Sequence, residues 1–110
     1  MGTIVIATAN EVEDFDKDGI ISFPKEYLGM KEQFTLQEKV DIVIAFPRKI
    51  SGVRYVLKNE KKEIIGDYIN DDGYGVRYRL KPGELIIGNY IAEFFYRERM
   101  IAKLEFNVTK

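Results

Sequence analysis

Alternation of apolar and polar residues dominates the last two-thirds of the chain. In the segment 102–108, Ala102, Leu104, Phe106 and Val108 fall on one side and Lys103, Glu105 and Asn107 on the other, the period-two pattern of a strand with one buried face. The preceding run, 88–96, reads as a second strand, and Arg97-Glu98-Arg99 as the turn that folds the two into a hairpin. Upstream, Val53, Tyr55 and Leu57 alternate with Arg54, Val56 and Lys58, and Asn59 to Lys62 follow as a polar turn. Glu63 to Ile69 continues the series until the turn cluster Asn70-Asp-Asp-Gly73. Val76, Tyr78 and Leu80 then alternate with Arg77 and Arg79, and Lys81-Pro-Gly83 closes that strand. Strands this short, separated by frequent turn signals, predict an all-β sandwich or barrel, because alternating strand and helix units need longer spacing.

The first third is less regular. Thr3 to Thr8 is a β-branched run that predicts a first strand, and the acidic segment Glu11 to Asp18 is too polar for a core and predicts a loop. Gly19 to Phe23 reads as another short strand. Pro24 at a first helical position, followed by Lys25 to Gly29, predicts one helical turn stopped by glycine. Phe34 to Gln37 and Val40 to Phe46 read as strands, with Pro47 ending the second by removing an amide donor. The expectation is a single domain over 1–110, an immunoglobulin-like antiparallel β-sandwich of seven to nine short strands. Its expected core is Ile42, Ile44, Phe46, Val53, Tyr55, Leu57, Val76, Tyr78, Leu80, Tyr90, Leu104 and Phe106.

Composition narrows the chemistry. At 110 residues the chain suits one domain with a real core,, and it has no apolar run long enough to predict a membrane span. It contains neither cysteine nor histidine. No disulfide framework, thiolate metal site or thiol nucleophile is therefore available, and the usual general base at neutral pH is missing. Ser22 and Ser51 are the only serines and neither sits in a nucleophile elbow,, so the chain is expected not to be an enzyme. Net charge is −1. Residues 1–39 hold eight acids and four bases and residues 40–110 hold ten acids and thirteen bases, which leaves no basic surplus for a nucleic-acid partner.

Three groupings invite a functional reading. Asp14, Asp16 and Asp18 with Gly19, the backbone carbonyl of Ile20, apolar Ile21 and Ser22 follow the spacing of a calcium loop, in which alternate oxygens surround a hard cation,. Lys25 stands where the closing bidentate glutamate belongs, so the alternative is a solvated acidic loop in which Asp18-Gly19 makes a turn. Seven tyrosines offer sugar-stacking faces. The strand phase assigns Tyr55, Tyr78 and Tyr90 to the core and leaves Tyr27, Tyr68, Tyr74 and Tyr96 as surface candidates. Arg54, Arg77, Arg79, Arg97 and Arg99 fall on outward phases or in a turn, where they form either one basic face or scattered charges interspersed with Glu93, Glu98 and Glu105,.

Taken together, Ile50-Ser-Gly-Val-Arg-Tyr-Val-Leu-Lys58, Glu63-Ile-Ile65, Asp72-Gly-Tyr-Gly-Val-Arg-Tyr-Arg-Leu80, Gly88-Asn-Tyr-Ile-Ala-Glu-Phe-Phe-Tyr96 and Leu104-Glu-Phe-Asn-Val108 resemble the immunoglobulin-like N-terminal domain of upper baseplate proteins from phages of Gram-positive bacteria. Gly52, Gly75, Gly88, Tyr90 and Ala92 occupy the matching places, and the likeness covers about half the chain. The resemblance implies a non-catalytic virion protein that forms homo-oligomers and binds other tail or baseplate subunits through its sheets and loops. The alternative is a carbohydrate-binding or adhesion module of a bacterial surface, steadied by calcium at the acidic loop. Fold alone does not decide between them.

Overall fold

A computed structural model describes residues 5–9, 11–12, 27–28, 31–71 and 73–110. Their strands are β1 (Val5–Ala9), β2 (Glu11–Val12), β3 (Tyr27–Leu28), β4 (Gln33–Thr35), β5 (Val40–Ile50), β6 (Val53–Lys58), β7 (Ile64–Ile69), β8 (Gly73–Leu80), β9 (Gly88–Tyr96) and β10 (Arg99–Thr109). Two sheets form the layers, one ordered β1-β5-β8 and the other β4-β10-β9-β6-β7, while β2 and β3 pair separately. From β4 onward the chain crosses between layers after β4, after β5, after β7 and after β8, the Greek-key connection of an immunoglobulin-like sandwich. Among the described residues all ladders are antiparallel except that of β4 with β10, where Gln33, Phe34 and Thr35 run parallel to Asn107, Val108 and Thr109.

The alternation seen in sequence becomes the inner face of each sheet. Ile42, Ile44 and Phe46 from β5 and Val76 and Leu80 from β8 meet Val53, Tyr55 and Leu57 from β6, with Tyr90, Ala92 and Phe94 from β9 and Phe106 and Val108 from β10. Tyr78 and Leu104 pack against this core without being fully enclosed. One aromatic pair ties the two layers together and others brace the five-stranded sheet. Tyr55 stacks on Tyr78 with centroids 4.7 Å apart, and Phe106 stacks on Tyr90 at 5.4 Å while Phe34 meets it edge-on at 5.9 Å. Such pairs add to what area burial alone supplies.

Pro47 does not end β5. The strand runs on to Ile50, and the proline falls where the β5–β8 register shifts between the pairs Ala45↔Gly75 and Ile50↔Gly73. An irregularity of this kind leaves unpaired the amide that proline lacks. Tyr27–Leu28, expected within a helical turn, are extended and pair with Glu11–Val12, which were expected in a loop. The rest of those two segments lies outside the described residues.

The β9–β10 hairpin turns at Arg97 and Glu98, both at positive φ (51° and 65°), between the paired Tyr96 and Arg99. This is the geometry of a type I′ turn, which asparagine and glycine adopt far more readily than long side chains. Replacing Arg97-Glu98 by Asn-Gly is expected to raise stability by about 1 kcal/mol, read as a higher urea midpoint with an unchanged slope.

Candidate interaction surface

The five predicted metal-loop residues Asp14, Asp16, Asp18, Ile20 and Ser22 lie outside the described residues. Among the described residues no three His, Cys, Asp or Glu side chains come together as a metal-binding set.

The tyrosines separate as their strand phases require. Tyr55 and Tyr90 are buried and Tyr78 is half-buried against the core. Tyr68, Tyr74 and Tyr96 sit on three different strands, β7, β8 and β9, and only Tyr68 is largely exposed. The side chain of Tyr27 is not among those described. Tyr90 donates its hydroxyl to the Ile86 carbonyl four residues upstream at 2.7 Å, the tyrosine-corner device of immunoglobulin-like sandwiches. The Tyr55 hydroxyl, by contrast, is buried with no hydrogen-bond partner, and burial pushes its pKa well above the usual phenol value. Tyr55→Phe is therefore expected to leave stability unchanged or to raise it by about 1 kcal/mol, because the change removes an unsatisfied polar atom and keeps the ring. A urea titration that shows a clear loss would mean that the hydroxyl has a partner.

The arginines do not converge. Arg54 belongs to β6 in the five-stranded sheet, Arg77 and Arg79 to β8 in the other, and Arg97 and Arg99 to the hairpin turn and the strand it opens. Carboxylates accompany several of them. Arg79 lies 3.4 Å from Asp41, and Arg54 holds Asp67 through two bonds, Nε to Oδ1 at 3.0 Å and Nη2 to Oδ2 at 2.6 Å. Hydrogen bonding to Arg54 holds the Asp67 carboxyl below its ordinary value of 3.8. Asp67 thus contributes stability that is complete above that value and lost as pH falls through the lower folded-state value. The contribution is small because the pair is exposed and screened by salt. An NMR titration of the Asp67 carboxyl carbon is expected to give a midpoint below 3.8 that moves upward in Arg54→Met.

What does gather is exposed apolar surface. β7 forms one edge of the five-stranded sheet, and four of its six residues are large, apolar and open to solvent: Ile64 (56%), Ile65, Tyr68 and Ile69 (58%). At the end of the sandwich where β7 begins, Ile86 (77%) and Ile87 (53%) project from the loop between β8 and β9. A cleft of about 270 Å³ runs between that loop and the β6–β7 turn, lined by Glu60, Lys61, Glu63, Ile86 and Ile87 among others. Glu60 fixes the two loops together by accepting a hydrogen bond from the Asn89 amide at 3.0 Å. β7 falls where the pattern over 63–69 predicts a strand, but nothing in that pattern marks its isoleucines as exposed, because alternation shows which residues share a face and not whether a neighbouring strand covers them.

No protein-family model matches the sequence, and a search of curated proteins gives no match. Among solved structures, an immunoglobulin-like protein from Pseudomonas aeruginosa shares the architecture, with a TM-score of 0.60 over 98% of this chain and 93% of that one at 10% identity. Likeness at that identity is one of fold. The chain is an immunoglobulin-like β-sandwich, as its Greek-key order and its Tyr90 corner independently indicate,.

Proposed function

We propose that this protein is a non-catalytic structural subunit that binds other protein chains, of the kind that builds phage tails and baseplates, and that it works within the virion. The observation that carries the reading is the exposed apolar strip of β7 and the neighbouring β8–β9 loop. Large exposed apolar side chains gathered along one sheet edge mark interaction sites on folded domains. The lack of histidine and cysteine in the sequence argues in the same direction,, as does the resemblance of residues 50–108 to baseplate-protein domains. The sugar-binding alternative has less support, since the surface tyrosines lie on separate strands instead of forming one stacking platform.

Co-expression with the products of the genes flanking its own, followed by size-exclusion chromatography with light scattering, tests the reading. A complex of fixed stoichiometry with a neighbouring product is the expected result. A chain that elutes alone from every mixture, and binds a defined glycan on an array, would overturn it in favour of an adhesion module.

A further inference from the structure

We infer that two copies of the chain join their β7 edges into one continuous antiparallel sheet about a two-fold axis at Asp67. The inference rests on the assembly reading and specifies one of its contacts. Hydrogen bonding within the chain sets which way the edge points. The Asn70 amide donates to the Val53 carbonyl at 3.1 Å, so Val53 and Asn70 form a hydrogen-bonded pair. Such pairs alternate along an antiparallel ladder, and the register Tyr55↔Tyr68 and Leu57↔Gly66 turns the backbone groups of Tyr68 and Gly66 toward β6 as well. Those of Asp67 and Ile69 therefore face outward from the sheet edge.

An antiparallel partner has to match outward-facing residues with outward-facing residues, which leaves two central alignments of β7 with itself. With the axis at Asp67, Ile69 meets the partner's bulge at Ile64 and Ile65, where the β6–β7 register shifts between Leu57↔Gly66 and Lys58↔Ile64, and Gly66 opposes the partner's Tyr68. Each isoleucine contact then closes over apolar surface, and each tyrosine ring covers a glycine, a pairing that suits sheets well. With the axis at Gly66, Asp67 would instead meet the isoleucines of the partner's bulge and Ile69 would lie toward the partner's Glu63, setting charge against hydrocarbon. The first alignment is the favoured one.

Its one like-charge encounter, between the two Asp67 carboxylates, is offset because each is held by two hydrogen bonds from Arg54 of its own chain. The match of the strand to itself is what an isologous interface requires, and this is why a second copy fits better than an unrelated strand. β7 also carries no lysine or proline, two of the residues that commonly keep sheet edges apart, and its bulge at Ile65 lies toward one end and leaves Gly66 to Ile69 in regular register.

Sedimentation equilibrium over a wide concentration range tests the pairing. The wild-type chain is expected to reach twice its monomer mass of 12.8 kDa, and Ile65→Lys/Ile69→Lys is expected to halve that mass while keeping the β-sheet circular dichroism of the wild type. Because the sequence has no cysteine, Asp67→Cys supplies an independent readout. Two residues facing each other on the axis lie within disulfide reach, so mild oxidation should give a covalent dimer, whereas Ile86→Cys, more exposed but off the axis, should not. A wild-type chain that stays monomeric, or a dimer indifferent to the lysine pair, overturns the inference, as does cross-linking through residue 86 as fast as through residue 67. A dimer that survives the lysine pair reports another surface and leaves the assembly reading intact. That reading fails only if the chain also associates with none of the flanking gene products.

Discussion

Gly75→Ala is expected to be the most damaging glycine-to-alanine change among the described residues. A Cβ at position 75 would stand 2.4 Å from the Ile44 carbonyl oxygen and 3.3 Å from the Ala45 Cα. Both are backbone atoms of the central strand β5, so no side-chain rotation relieves the clash. Gly75 pairs with Ala45 at the last regular position before the β5–β8 register breaks. Overpacking against a fixed backbone costs about 3 kcal/mol or more, and for a domain of this size that lowers the melting temperature by roughly 10 °C or more. Thermal unfolding followed by circular dichroism checks it; a loss of under about 1 kcal/mol would show that β8 can lift away from β5.

Asn70→Ala is the second large effect. Asn70 is buried, and all its polar groups are engaged at the crossover from β5 to β6. Its side-chain oxygen accepts from the Val53 amide at 2.6 Å and its side-chain nitrogen donates to the Ile50 carbonyl at 3.0 Å. Its backbone donates to Val53 and accepts from Gly52. Truncation strands a buried donor and a buried acceptor, at a cost of about 3 kcal/mol in all. Asn70→Asp keeps the acceptor toward Val53 but turns an oxygen toward the Ile50 carbonyl, so it is expected to recover little. Urea unfolding of both variants distinguishes this network from simple loss of packing, in which case aspartate would be nearly neutral.

Much of the architecture was legible in advance because one interaction dominates it. Val53, Tyr55, Leu57, Val76, Leu80, Tyr90 and Phe106 alternate in sequence and are buried in the structure, since a sheet buries one face whatever its neighbours do. The misreadings occur where a second element intervenes. Val56 has the outward phase of β6 yet is only 3% exposed; flanking ion pairs on that face, Arg54 with Asp67 and Lys58 with Glu93, account for it. Val43 is likewise buried at an outward phase of β5, the strand against which β2 packs. Pro47 predicts a stop because its missing donor matters in an unbroken ladder, and the sequence carries no sign that the β5–β8 ladder breaks there. The role of Asn70 was illegible for a similar reason. Asparagine in a turn cluster ordinarily bonds its own neighbours, whereas here it reaches Ile50 and Val53. Candidate contact residues were harder still, because the exposure of β7 follows from strand order, and strand order is a property of the whole topology.

The parallel ladder between β4 and β10 bears on how the molecule is made. It joins segments from far apart along the polypeptide, so the entropy of closing the intervening loop must be overcome before the contact gives anything back. The nearby β9–β10 hairpin requires no such closure. Phe34, which β4 carries into the core, should accordingly dock late, onto a hairpin already in place, and refolding should take milliseconds to seconds, in keeping with chains rich in distant strand pairings.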